Sequence, residues 1–178
     1  MSTWTLKNPL PLVIPPGRYH RLPVFAHYPM EEVIAGLRYL MSQSQASPDV
    51  QQLAWEIIQS KPDPLAAVFD WVITNVKYTP DPDSLELFIS PVLQVEKFRH
   101  GESLYEDCDG IALMMCSLFF HLGIPSCLAI LDTRNAGWDH AVAEVDAGGG
   151  FIMLDPSSPS LPPGWQESFF RKVIAWPP

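Results

Sequence analysis

Apolar residues recur at helical spacing in three successive stretches of the first half of the chain. In PMEEVIAGLRYLMSQSQ, from Pro29, residues Val33, Ile34, Leu37, Leu40 and Met41 fall on one face, and the acidic pair Glu31–Glu32 suits a first helical turn. Beyond the SPD break, DVQQLAWEIIQS predicts a second helix with Asp49 near its start. PLAAVFDWVITNV predicts a third, with Pro64 in the first turn, where proline is tolerated. The prolines of YTPDPDS, from Tyr78, cannot continue that helix and predict a loop. Residues 84–107 fit short helices or irregular structure equally well.

The pattern then changes. From Cys108 to Leu122 the chain is apolar on nearly every face, the mark of a buried central helix, and Gly123 followed by Pro125 stops it. SCLAILDT, WDHAVAEVDA and GGFIMLDPSS alternate or run apolar between the turn signals RNAG and AGGG, predicting three strands of an antiparallel sheet. Residues 1–29 are rich in proline and read as an extended arm that packs through Trp4, Tyr19 and Phe25. The tail beyond Pro156 is again proline-rich and ends in the apolar piece FFRKVIAW. Helices followed by a meander of strands predict an α+β domain, with N-terminal helices and a central Cys-bearing helix packed on an antiparallel sheet.

At 178 residues, with no internal repeat or linker, the chain suits a single domain over 1–178. Its 47% apolar content excludes extensive disorder, and its net charge of −9 argues against nucleic-acid or membrane partners. The run Ile111–Leu122 is too short to span a bilayer, and the proline-broken start does not resemble a secretory signal. Three unevenly spaced cysteines form no disulfide framework, so a reducing, cytoplasmic location is expected.

One cysteine stands apart. In LYEDCDGIALMMC, Cys108 sits between Asp107 and Asp109 where polar sequence gives way to the apolar run. That places its thiol in the first turn of the buried helix, whose free N–H groups favour a thiolate and can hold an oxyanion. Asp107 is expected to cap the helix, and the flanking carboxylates oppose thiol ionisation, so a nearby cation is required. A nucleophilic cysteine also needs a base, and that base needs an orienting group. Of the five histidines, His121 lies about 20 Å along the same helix and is better placed as a C-terminal charge complementing the dipole. His140 opens a predicted strand and Asp155 ends the next, so in a hairpin the two can lie side by side near the helix start. Cys116 and Cys127 read as core residues. Zinc on Cys108, Cys116, His121 and Cys127 lacks the tight C-x₂₋₄-C pairs of structural sites.

Taken together, FDWVITNVKYTPDPDS, EDCDGIALMMCSLFFHLGIPS, WDHAVAEV and GGFIMLDPSS resemble, in order, the motifs of the transglutaminase-like superfamily of papain-type cysteine enzymes. The match covers residues 64–158 and is most similar to small bacterial and phage-associated members. The resemblance implies Cys108 as nucleophile, His140 as general base and Asp155 as the residue that orients the imidazole, with no cofactor and no metal. It implies acyl transfer through a thioester on a protein or peptide substrate, most similar to peptidase or amidase hydrolysis. Cross-linking to an amine is the alternative outcome of the same chemistry. Two positions depart from the family pattern: Glu106 stands where Gly is usual, and Asp139 where a small or hydroxyl residue is common. These acidic departures keep open a non-catalytic, phage-associated binding or structural module. Trp138, Asp109 and Gln94 are further candidates for the cleft, Gln94 as an oxyanion donor and Trp138 as a shield for the imidazole.

Overall fold

Three helices of this protein begin in the same way, with a small polar residue followed by proline. The computed structural model describes residues 21–25, 30–59, 61–81, 85–135, 137–158 and 171–176. After helix α1 (Met30–Gln45), helix α2 (Pro48–Ile58) starts at Ser47, whose hydroxyl accepts from the Val50 N–H. Helix α3 (Pro64–Asn75) starts at Asp63, whose carboxylate accepts from Leu65 and Ala66, and helix α4 (Pro91–Arg99) at Ser90, which accepts from Val92. Each cap satisfies a backbone N–H that the helix itself leaves free, and proline at the first position has no N–H to lose.

Helix α5 (Cys108–His121) is the centre of the molecule, buried at every position from Asp109 to Phe119. Its buried serine, Ser117, donates to the Leu113 carbonyl at 2.7 Å and meets the Ser44 hydroxyl at 2.8 Å, so that hydroxyl is not stranded in the core. Gly123 takes the left-handed backbone (φ +69°) and ends the helix, with Gly123 N–H donating to Phe120 and Ile124 N–H to Phe119. His121 is engaged rather than free at this terminus: its Nε2 lies 2.8 Å from the Ser44 carbonyl and ties α5 to the end of α1.

Against α5 lies a four-stranded antiparallel sheet in the order β7-β6-β5-β8, where β5 is Ser126–Asp132, β6 His140–Asp146, β7 Phe151–Leu154 and β8 Arg171–Trp176. Alternate residues split between the two faces. Leu128, Ile130, Ala141, Ala143, Val145 and Leu154 join the main core with α5, while Ala129, Leu131, Val142 and Met153 form a second, smaller cluster.

The α+β architecture is as expected from the pattern of elements, but several segments differ from their sequence reading. Arg21–Phe25, read as part of an extended arm, is strand β1, paired antiparallel with β3 (Leu85–Ile89); the rest of residues 1–29, including Trp4 and Tyr19, lies outside the described residues. Tyr78 is not in a loop but ends strand β2 (Val76–Tyr78), which runs parallel to β4 (Leu104–Glu106). The ambiguous stretch 84–107 resolves into β3, α4 and β4, and the apolar tail supplies a fourth sheet strand, β8. No described helix is long and apolar enough to cross a membrane.

Candidate active site

Cys108 is the first residue of α5 and is half-buried, whereas Cys116 and Cys127 are buried. Burial pushes the Cys116 thiol well above its ordinary range. Burial, followed by the charge of Glu144 beside it, pushes Cys127 up to about 12. Both therefore stay protonated and inert at neutral pH.

The hairpin of β6 and β7 brings two chemical groups to the same place. Because the strands are antiparallel, the start of β6 lies next to the end of β7. His140 opens the first and Asp155 follows the second, and His140 Nε2 sits 2.8 Å from Asp155 Oδ2. The second carboxylate oxygen, Oδ1, accepts from the Ser157 N–H at 3.1 Å and from the Ser157 hydroxyl. Burial raises the Asp155 pKa, but hydrogen bonds from His140 and Ser157 outweigh it and hold the carboxyl below its usual range. The carboxylate is thus fixed, charged and 3% exposed.

The imidazole also lies near enough to Cys108 for the thiol to bear on its protonation. With Nε2 committed to Asp155, Nδ1 is the nitrogen left for the sulfur. Burial works to lower the His140 pKa; the Asp155 hydrogen bond, then the proximity and negative charge of Cys108, raise it to about 10. The side chains bring together sulfur, imidazolium and carboxylate at the positive end of a buried helix. Such an arrangement can supply a nucleophile, a proton donor and an oxyanion-binding backbone N–H together.

Other residues near the thiol and the imidazole are placed as follows. Asp107 occupies the N-cap position but makes no capping hydrogen bond, and its Oδ1 is buried without a partner among the described residues. Asp109, proposed for the cleft, is 4% exposed and is turned into the protein. Gln94 is fully buried, and its amide nitrogen is directed at the carbonyls of Ile89 (3.2 Å) and Gly110 (3.5 Å), so it braces the first turn of α5 instead of facing a substrate. Trp138 is half-buried and packs against the main core two residues before His140. Asp139 accepts from Thr133 N–H and Oγ1 and from Arg134 Nε, each at 2.8 Å, which ties up the turn between β5 and β6. Among the described residues no group of three His, Cys, Asp or Glu side chains could hold a metal ion.

Two neighbours of the site were absent from the sequence reading. Ser157 carries a local signal: an Asp whose side chain bonds the backbone two residues on is a common turn device, and LDPSS has that spacing. Tyr78, whose phenol pKa is raised by burial and then by the charge of Cys108, has none, because its position depends on the pairing of β2 with β4. A groove of about 370 Å³ between α2, α3 and α4, lined by Leu53, Trp71 and Phe98 among others, includes no member of the Cys-His-Asp group.

The fold has a precedent among solved structures. It matches a putative protease from Parabacteroides distasonis with a TM-score of 0.53 and 15% identity, over 71% of this chain and 26% of that one. A putative cysteine protease from Cytophaga hutchinsonii aligns with a TM-score of 0.46 and 18% identity, over 70% of this chain and 41% of that one. The chain therefore spans well under half of either protein, and at such identity the first match bears on the fold alone. No family model and no curated protein matches the chain.

Proposed function

We propose that this protein is a cysteine acyl-transfer enzyme of the transglutaminase-like superfamily, acting as a peptidase or amidase on a protein or peptide. The observation that carries this reading is His140, held 2.8 Å from the Asp155 carboxylate and influenced electrostatically by Cys108 at the start of α5. In the reaction, the Cys108 sulfur attacks an amide carbonyl and the carbonyl π electrons move to oxygen. On collapse the C–N bond breaks, His140 gives its proton to the departing amine, and a thioester remains. Water then attacks the thioester while neutral His140 takes its proton; the C–S bond breaks, the acid leaves, and the Cys108 thiolate and His140 imidazolium are restored. Asp155 holds the imidazole in one tautomer throughout. An amine in place of water turns the same steps into cross-linking.

A second reading, a non-catalytic module on the same scaffold, draws support from the acidic surroundings of the thiol, where Asp107 makes no capping bond. The two readings part on thiol chemistry. For the enzyme, iodoacetamide alkylates Cys108 at pH 6–7 much faster than Cys116 or Cys127, as read by peptide mass spectrometry. Exposure to a peptide or amine library then leaves an acyl adduct on Cys108 that is absent from Cys108→Ser. Uniformly slow alkylation with no adduct refutes the enzyme reading.

A further inference from the structure

Acyl transfer leaves one buried charge without a cation at one stage of the cycle. Before the thioester forms, His140 is an imidazolium and offers Asp155 a full positive charge. Once its proton has gone to the departing amine, it offers only the Nε2–H dipole. The carboxylate meanwhile stays in place, its side chain 2% exposed. A buried carboxylate with no cation is costly unless hydrogen bonds hold it. Until water attacks, another group has to do so.

The turn after β7 supplies that group. The Ser158 N–H donates to the Asp155 carbonyl at 3.2 Å, closing a four-residue turn with Pro156 in second place, where its fixed φ is favoured. The turn carries both donors of Ser157 back to the side chain of Asp155. The Ser157 N–H donates to Oδ1 at 3.1 Å, and the Ser157 hydroxyl donates to the same oxygen. Oδ2 is left for His140 Nε2 at 2.8 Å. One oxygen thus serves the imidazole, the other is held by Ser157, and the carboxylate is fixed between them.

We infer that Ser157 is a positioning residue for deacylation: its hydroxyl holds the Asp155 charge in the acyl-enzyme, while His140 is neutral and takes a proton from water. The inference rests on the acyl-transfer reading above and adds a residue to one of its steps. No bond to Ser157 forms or breaks, and its hydroxyl keeps its proton throughout. Without that donor the carboxylate favours a protonated imidazole more strongly, so the neutral base is populated only at higher pH. The state before acylation depends on Ser157 less, because the imidazolium is then present beside Asp155. The other titratable groups bearing on the pair are the Cys108 thiol, on His140, and the Tyr78 phenol of β2, which feels burial first and then the charges of Cys108, Asp107, Asp155 and Asp109. Replacing Ser157 leaves all of them in place.

The test times two steps at one thiol. p-Nitrophenyl acetate acetylates sulfur and releases a phenolate that needs no proton, and intact-mass measurement then follows loss of the acetyl group. In Ser157→Ala, acetylation of Cys108 stays close to the wild-type rate, which also shows that the variant is folded. At pH 6, below the ordinary imidazole value of about 6.5, its deacetylation falls on the order of 10-fold, the usual worth of a hydrogen bond to a charged group. The deficit shrinks towards pH 9 as the imidazole becomes neutral in both proteins. Ser157→Thr, which keeps the hydroxyl, restores the wild-type profile. Identical deacetylation of wild type and Ser157→Ala across this range overturns the proposal. So does an equal fall in acetylation and deacetylation, or a threonine variant no better than alanine, since each assigns Ser157 to the fold alone. A wild type that is not acetylated at Cys108, or whose acetyl group neither water nor methylamine removes, sinks the acyl-transfer reading itself.

Discussion

At the scale of single residues, His140 is where local electrostatics become a measurable pH dependence. Its pKa is raised from an ordinary value near 6.5 to about 10. A group whose pKa is higher folded than unfolded contributes stability that is fully present below the unfolded value and lost as pH climbs through the folded one. Wild type should therefore exceed His140→Gln in denaturant unfolding most clearly below about pH 6.5, with the gap closing towards pH 10. Asp155, whose pKa is lowered, acts at the other end: its contribution is present above about pH 3.9 and disappears as acid protonates it. A gap that stays constant from pH 6 to 10 would show that His140 is not held by charged partners. In the acyl-transfer reading, His140→Ala slows thioester formation by roughly 10²- to 10⁴-fold, the worth of a positioned proton-transfer group. Single-turnover release of the leaving group reads that rate. The residue types at 108, 140 and 155 were legible in the sequence; Ser157 and Tyr78, which complete their surroundings, were not picked out.

At the scale of elements, the turn into α5 shows how a bulky acidic residue is accommodated beside the start of a buried helix. Glu106 stands where the resembling motif has glycine, yet it is only 5% exposed. Its carboxylate lies over Gly110, which has no Cβ to meet it. Gly110→Ala gains up to about 1 kcal/mol of helix propensity but overpacks this contact at a cost of about 1–3 kcal/mol, so it should destabilise wild type. In a Glu106→Ala background the same change should be neutral or stabilising. A double-mutant cycle by denaturant unfolding checks this; additive effects would mean the two positions do not share space. Helix boundaries elsewhere followed from local signals, since a cap and a following proline act within one turn. The ladders of β2 with β4 and β1 with β3 join residues far apart in sequence, which is why Tyr78 and the stretch 84–107 were misread or left open.

At the scale of the molecule, α5 is the common partner of the helices and the sheet, while β8 is an edge strand. The Arg38 Nε donates to the Ala175 carbonyl at 2.9 Å and fastens that edge to α1. Amide hydrogen exchange should accordingly be slowest in residues 111–119 of α5 and in β5 and β6, whose opening requires global unfolding. Arg38→Ala should speed exchange in residues 171–176 without altering α5 in native conditions. Equal acceleration in both would mean that β8 and the central helix open as one unit.

The order of helices and strands, the all-round burial of α5 and its glycine stop are written in the chain, because periodicity, caps and left-handed turns act over a few residues. Sequence also marks a thiol at the start of a buried helix and a histidine and an aspartate at the ends of neighbouring strands. Which imidazole nitrogen meets the aspartate and where the fourth strand docks were decided by tertiary structure. Those outcomes depend on strand register and on pairings between distant segments, which no local pattern of apolar and polar residues specifies.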